Sequence, residues 1–219
     1  MIAPAPTPVI PGTVHVVDDD AAFRTAVARV LSAAGYRARL YASAREYLEA
    51  IDGEGAACVL LDLRMPGVSG LDLQNELARR DQAHPVIFLS GHGDIPSTVR
   101  AMREGALDFL TQPVPTATLL EAIRAALERD LERAQHRAWL CDLKQRYASL
   151  TPRERQVMGG VVAGRLNKQI CFGLHAAERT VKTHRARVME KMKVRSVAEL
   201  VRFAEELQGA GIELERVTY

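Results

Sequence analysis

The first 143 residues contain no lysine; the earliest is Lys144, so every permanently cationic side chain before it is an arginine. Any site in that stretch that relies on a lysine ammonium is excluded. Cysteine is scarce as well. Cys58, Cys141 and Cys171 lie far apart and form no CxxC pair, so each thiol reads as a small hydrophobe and a reduced cytoplasm is the expected setting. No apolar run approaches the roughly 20 residues that a membrane helix needs. The segment Met1 to Pro11 is Pro-rich and lacks the basic-then-apolar pattern of a secretory signal, so residues 1–12 are expected to form a short disordered tail.

What remains is the composition of a globular protein, 47% hydrophobic and 26% charged over 219 residues, enough for two ordinary domains. The net charge of +2 conceals an asymmetry. Residues 13–125 carry 11 Lys+Arg against 15 Asp+Glu, a balance of −4. Residues 151–195 carry 11 against 3, a balance of +8, which suggests a polyanionic partner for that segment.

Between residues 13 and 125, short apolar runs alternate with amphipathic stretches. The runs are Val14–Val17, Ala38–Tyr41, Cys58–Leu61, Val86–Leu89 and Leu107–Leu110; helical patterns fall near 21–34, 43–52, 70–80, 95–104 and from 116 onward. Five strand–helix repeats predict a doubly wound α/β fold with a five-stranded parallel sheet. Ligands of such sheets bind beyond the carboxyl ends of the strands. Asp18, Asp62, Ser90 and Gln112 stand at those ends. Asp18, Asp19 and Asp20 could simply cap the next helix. Combined with Asp62 at a neighbouring strand end, they make a carboxylate cluster whose mutual repulsion a cation would relieve; hard oxygen ligands suit Mg²⁺.

From about Thr116 to Tyr147 there is neither Gly nor Pro, and Leu120, Ile123, Leu127, Leu131, Ala134, Ala138 and Cys141 recur at heptad-like spacing. About 32 residues of helix would make a rod of roughly 48 Å. It is expected to connect two domains, its second half making a dimer or inter-domain contact. Four short helices should follow. Thr151-Pro152-Arg153-Glu154 is a helix start, Gly164 an end, Asn167–Leu174 a second helix, Ala177–Met192 a third, and Ser196 the cap of a fourth ending near Gly209. In the third helix Val181, Val188 and Met192 share a face with His184 beside them, and Lys182, Thr183, Ala186, Arg187 and Glu190 share the other. Such a basic face could be merely solvated; placed after a short helix and a tight turn, it suits the major groove. Lys182 can reach guanine, and Thr183 and Ala186 a thymine methyl. Lys168, Thr180, Arg185 and Lys191 are candidates for phosphates. His184 is a candidate for DNA contact or for core packing.

At these residues a family is recognisable. Val16-Val17-Asp18-Asp19-Asp20, Leu61-Asp62-Leu63-Arg64-Met65-Pro66-Gly67, Leu89-Ser90-Gly91-His92-Gly93-Asp94 and Asp108-Phe109-Leu110-Thr111-Gln112-Pro113 resemble response-regulator receivers of the FixJ-like branch, which have a flavodoxin-like fold. Leu150 to Leu207 resembles the LuxR-type helix-turn-helix of the FixJ/NarL family, although Cys171-Phe172-Gly173-Leu174-His175 is unusual there. The resemblance implies that Asp62 is the phosphoacceptor. It implies that Asp19 binds Mg²⁺ directly, Asp18 through water and Arg64 by its backbone carbonyl. It further implies that Ser90 bonds the phosphoryl oxygen, that Phe109 turns inward on activation, and that a cis bond precedes Pro113. The implied partners are a sensor histidine kinase, double-stranded DNA, RNA polymerase and, on activation, a second copy of the chain. Receivers of this type carry a lysine before the proline; Gln112 stands there instead and brings no charge.

The expected domains are a tail at 1–12, a receiver at 13–125, a linker helix at 126–147, the helix-turn-helix domain at 148–211 and a tail at 212–219. The expected function is phosphorylation-switched transcription control. One alternative is a DNA-binding regulator that responds weakly or not at all to phosphate, because of Gln112. The other is a phosphatase of the haloacid-dehalogenase type, suggested by Asp18–Asp20 after a strand; it is opposed by the missing lysine and by the lack of room for a substrate cap.

Overall fold

The structure, a computed structural model, describes residues 12–50, 55–79, 84–91 and 94–215. Except for Gly12, the expected N-terminal tail lies outside the described residues, as do His92, Gly93 and residues 216–219. Contacts divide the chain into two compact units, one running to Ala134 and one beginning at Gln135.

In the N-terminal unit the order is β1 (Thr13–Val17), α1 (Ala21–Ala33), β2 (Arg37–Tyr41), α2 (Ala44–Ala50), β3 (Ala57–Leu61), α3 (Gly70–Ala78), β4 (Val86–Ser90), α4 (Ile95–Arg103) and β5 (Asp108–Thr111). The strands form one parallel sheet in the order β2-β1-β3-β4-β5. β3 and β4 are buried along their whole length, because a central parallel strand is covered on both faces. Strand β2 lies at the edge and is mostly exposed. Val27, Leu31, Leu119, Ile123 and Leu127 cover one face of the sheet. Tyr47, Leu73, Leu77 and Ala101 cover the other. Each of the valine, leucine and isoleucine side chains contributes roughly 1.5–3 kcal/mol by leaving water. Local chemistry sets the helix starts. Asp20 caps α1, accepting from the amides of Ala22 and Phe23. Ser69 and Asp72 form a capping box on α3, and Asp94 caps α4, whose first turn contains Pro96.

Helix α5 (Thr116–Ala148) is unbroken over 33 residues. Its heptad stripe is buried only as far as Leu127. Asp130 is the last buried residue before the helix becomes largely exposed, and Leu131, Ala138 and Cys141 face solvent. A different set, Leu143 and Tyr147 with Trp139 and Leu140, enters the core of the C-terminal unit. Trp139, Leu143 and Tyr147 bring more apolar surface to that core than Ala134, Ala138 and Cys141 would.

The C-terminal unit adds α6 (Pro152–Val162), α7 (Asn167–Leu174), α8 (Glu178–Lys191) and α9 (Val197–Gly209). Thr151 and Glu154 form the expected capping box on α6. Gly164 adopts φ 72°, which an L residue reaches only with strain, and so ends that helix region cleanly. The turn from α7 to α8 passes through His175 at φ 48°, a left-handed position held here without glycine. Val157, Ile170, Val181, Val188 and Leu200 fill the centre. No helix among the described residues is long and apolar enough to cross a membrane.

Candidate functional site

The parallel sheet brings Asp18, Asp62 and Ser90 to one edge, at the ends of β1, β3 and β4. The three adjacent acids divide their work. Asp20 caps α1, Asp19 is exposed, and Asp18 is buried, 6% exposed, with Oδ1 accepting from the amide of Asp20 at 2.8 Å. Asp62 is half-buried. Its Oδ2 accepts from the amide of Arg64 at 3.1 Å, and the Ser90 hydroxyl also hydrogen-bonds it. Gly70 permits this layout. A Cβ there would meet the Asp62 carbonyl oxygen at 2.2 Å, so α3 can start this close to β3 only with glycine. The sequence reading missed Gly70; its signal is the glycine eight residues after Asp62.

Burial pushes the Asp18 carboxyl up to about 6, and the charges of Asp62, Asp19 and Asp20 push the same way against the Asp20 amide. Burial also raises Asp62; the amides of Arg64 and Leu63 and the Ser90 hydroxyl counter it, and Asp19 adds to it. The charges that most affect the Asp18 carboxyl are thus all negative. The nearby arginines are engaged elsewhere: Arg24 donates to the Asp18 carbonyl at 2.6 Å, and Arg64 pairs with Asp94 at 3.8 Å. Among the described residues no three His, Cys, Asp or Glu side chains form a ready-made metal centre. Mg²⁺ takes one or two carboxylates and otherwise water. An all-oxygen donor set with a buried, electrically uncompensated carboxylate fits such an ion.

Gln112 donates from Nε2 to the Leu89 carbonyl at 3.4 Å, a long bond, and lines a cavity of about 530 Å³ with Phe23, Val27, Val30 and Leu119. The bond between Gln112 and Pro113 is cis. The Phe109 ring is half-buried, stacked 5.8 Å from that of Phe88.

In the C-terminal unit α8 presents Thr180, Lys182, Thr183, Ala186 and Arg187 to solvent, and Lys168 is exposed on α7. Lys182 reaches Glu178 at 3.0 Å, a surface pair of little strength that a ligand can displace. Arg185 is held by the Asn167 side chain at 3.0 Å. His184 is half-buried, and its Nδ1 is enclosed with no partner among the described residues. Lys191 departs from its expected place. Its ammonium is fixed to the Glu154 carboxylate at 2.6 Å and to the Ser149 carbonyl at 3.1 Å, so it clamps α8 to α6. The signal for this was Glu154 itself, a capping-box acid buried to 1% exposure that needs a counter-charge.

Residues 14–124 match the family described as "Response regulator receiver domain", and residues 148–204 match "Bacterial regulatory proteins, luxR family". The chain is 45% identical over 194 residues to Nodulation protein W of Bradyrhizobium diazoefficiens, covering 89% of this chain and 86% of that one. It is 40% identical over 193 residues to the transcriptional regulatory protein FixJ of the same organism, covering 88% and 94%. Among solved structures, response regulator StyR superposes with a TM-score of 0.79 at 43% identity, covering 90% of this chain and 100% of that one.

Proposed function

Because the chain belongs to the FixJ-like response regulators, with a receiver domain and a LuxR-type DNA-binding domain, we propose that phosphorylation of Asp62 controls DNA binding by α8 and its surroundings. One observation carries the assignment of Asp62: it ends β3, is hydrogen-bonded by Ser90 at the end of β4, and lies beside the buried acid Asp18. The phosphoryl donor is a sensor histidine kinase. Asp18, Asp19, Asp62 and the Arg64 carbonyl would hold Mg²⁺, which when bound supplies charge neutralisation for phosphoryl transfer. The Asp62 carboxylate attacks phosphorus, forming a P–O bond as the P–N bond to the kinase's phosphohistidine breaks and the imidazole leaves, and Ser90 donates a hydrogen bond to a phosphoryl oxygen. Phe109 follows Ser90 inward. Gln112 takes the place of the usual lysine with a neutral donor, roughly half as strong as a charge-assisted one, so labelling is slow and the switch weak.

We place the receiver at 13–125, the linker helix at 126–147 and the DNA-binding domain at 148–211. Lys182, Thr183 and Ala186 read bases, with Arg187 and His184 beside them. Lys168, Thr180 and Arg185 contact phosphates. Lys191 orients α8 from behind. The active form is a dimer in the cytoplasm that engages RNA polymerase. Its work is regulation rather than turnover of a substrate, and a phosphatase assay on a generic phosphoester should give only background. Acetyl phosphate with Mg²⁺ should label the wild type on an acid-stable-negative, base-labile bond, and Asp62→Asn should abolish labelling. Equal labelling of the variant would refute the assignment.

A further inference from the structure

Asp130 lies on α5, five residues past the expected end of the receiver, and is 1% exposed. Its Oδ2 accepts from the backbone amide of Ala57 at 2.9 Å and lies 3.1 Å from Nδ1 of His84, which is itself buried. Its Oδ1 is enclosed with no partner among the described residues. A carboxylate buried this way costs stability unless it is fully paired, and a packed apolar residue would serve the fold as well or better. Its use therefore lies in where it holds the helix.

Ala57 opens β3, whose other end leads into Asp62. His84 stands two residues before β4, whose other end is Ser90. One carboxylate on the connector thus grips the starts of the two strands that carry the phosphoacceptor and its hydroxyl partner. His84 also stacks on His15 of β1, at 5.8 Å between rings, and β1 leads into Asp18. Beyond Asp130 the helix is largely exposed as far as Ala138. Asp130 is accordingly the last hold on α5 within the N-terminal unit, and a hydrogen bond fixes direction in a way that apolar contact does not.

We propose that Asp130, through the Ala57 amide and His84, is the positioning residue that transmits displacement of β3 and β4 to the connector helix. The phosphorylation state then sets how α5 leaves the receiver. The proposal rests on the reading of Asp62 as phosphoacceptor.

The test uses the full chain, as wild type, as Asp130→Asn, and as His84→Leu combined with Asp130→Leu, an apolar pair that keeps the packing. Hydrogen exchange of residues 126–134 is read with and without beryllofluoride, alongside Asp62 labelling by acetyl phosphate. In the wild type beryllofluoride should change exchange across 126–134. In the leucine pair, labelling should stay near the wild-type rate while that response falls by about three- to tenfold, within the span of coupling changes that mutations along a coupled network cause. Asp130→Asn keeps an acceptor for Ala57 and should retain an intermediate response; it decides the matter alone if the leucine pair does not fold. An undiminished response in the leucine pair or, failing that, in Asp130→Asn overturns the proposal, as does a wild type that labels without any change at 126–134. Absence of labelling in the wild type overturns the Asp62 reading instead.

Discussion

Asp18 links the stability of the N-terminal unit to pH and, with the proposed Mg²⁺ site, to divalent cation as well. Burial, aided by the charges of Asp62, Asp19 and Asp20, raises its carboxyl from 3.8 to about 6. A carboxyl with a higher pKa folded than unfolded holds its proton longer in the folded chain. Its favourable contribution is therefore complete below 3.8 and is lost as pH rises through about 6. A difference of about 2.2 at 1.36 kcal/mol each gives about 3 kcal/mol, and solvent at the mouth of the site reduces this to about 1–2 kcal/mol. Mg²⁺ bound as proposed would offset the same repulsion. The assay is urea unfolding of wild type and Asp18→Asn at pH 5 and pH 7.5, in chelator or in Mg²⁺, read by hydrogen exchange at the β3 and β4 amides. Asn retains the acceptor for the Asp20 amide. In chelator at pH 7.5 the variant should be the more stable by about 1–2 kcal/mol, with the gap narrowing at pH 5. Mg²⁺ should stabilise the wild type more at pH 7.5 than at pH 5. Equal stabilisation at both pH values, or a variant less stable than wild type in chelator at pH 7.5, would refute the reasoning.

Three further outcomes follow from particular contacts. Burial alone would raise Glu154, but Lys191 and Thr151 hold its carboxyl below the usual range. Lys191→Ala should destabilise the C-terminal unit by about 2 kcal/mol at pH 7, less than for a fully buried pair because Lys191 is partly solvated, with the loss fading as acid protonates Glu154. Chemical denaturation followed by fluorescence of Trp139, the single tryptophan, measures it; an unchanged midpoint would remove the clamp. His175→Gly should stabilise the same unit by about 0.5–1 kcal/mol by relieving φ 48°, seen as a higher Tm, and a lower Tm would count against it. Gln112→Lys should speed labelling by acetyl phosphate; a rate equal to wild type would mark Gln112 as a tolerated replacement.

Much of the architecture was legible because it is written in local patterns. Continuous apolar runs at Cys58–Leu61 and Val86–Leu89 announced central strands, and Thr151-Pro152-Arg153-Glu154 announced a helix start to the residue. The acidic edge was legible because strand ends of a parallel sheet converge. The tertiary partners of individual charges were not legible. Nothing local says that Lys191 meets Glu154 37 residues away, or that Asp130 reaches back to His84 and Ala57. The heptad stripe was only partly informative for a related reason. Spacing marks which residues share a helix face, but not whether Leu131 or Trp139 finds apolar surface to cover it.

The central claim is that the state of Asp62 governs DNA binding by α8. Affinity should be measured for a duplex selected from random sequence by this protein, with and without beryllofluoride, for wild type, Gln112→Lys and Asp62→Asn across a salt series. Every variant should lose affinity steeply with salt through counterion release. Beryllofluoride should tighten binding modestly in wild type, more in Gln112→Lys, and not at all in Asp62→Asn. A salt-insensitive affinity, or a beryllofluoride effect that persists in Asp62→Asn, would contradict the account.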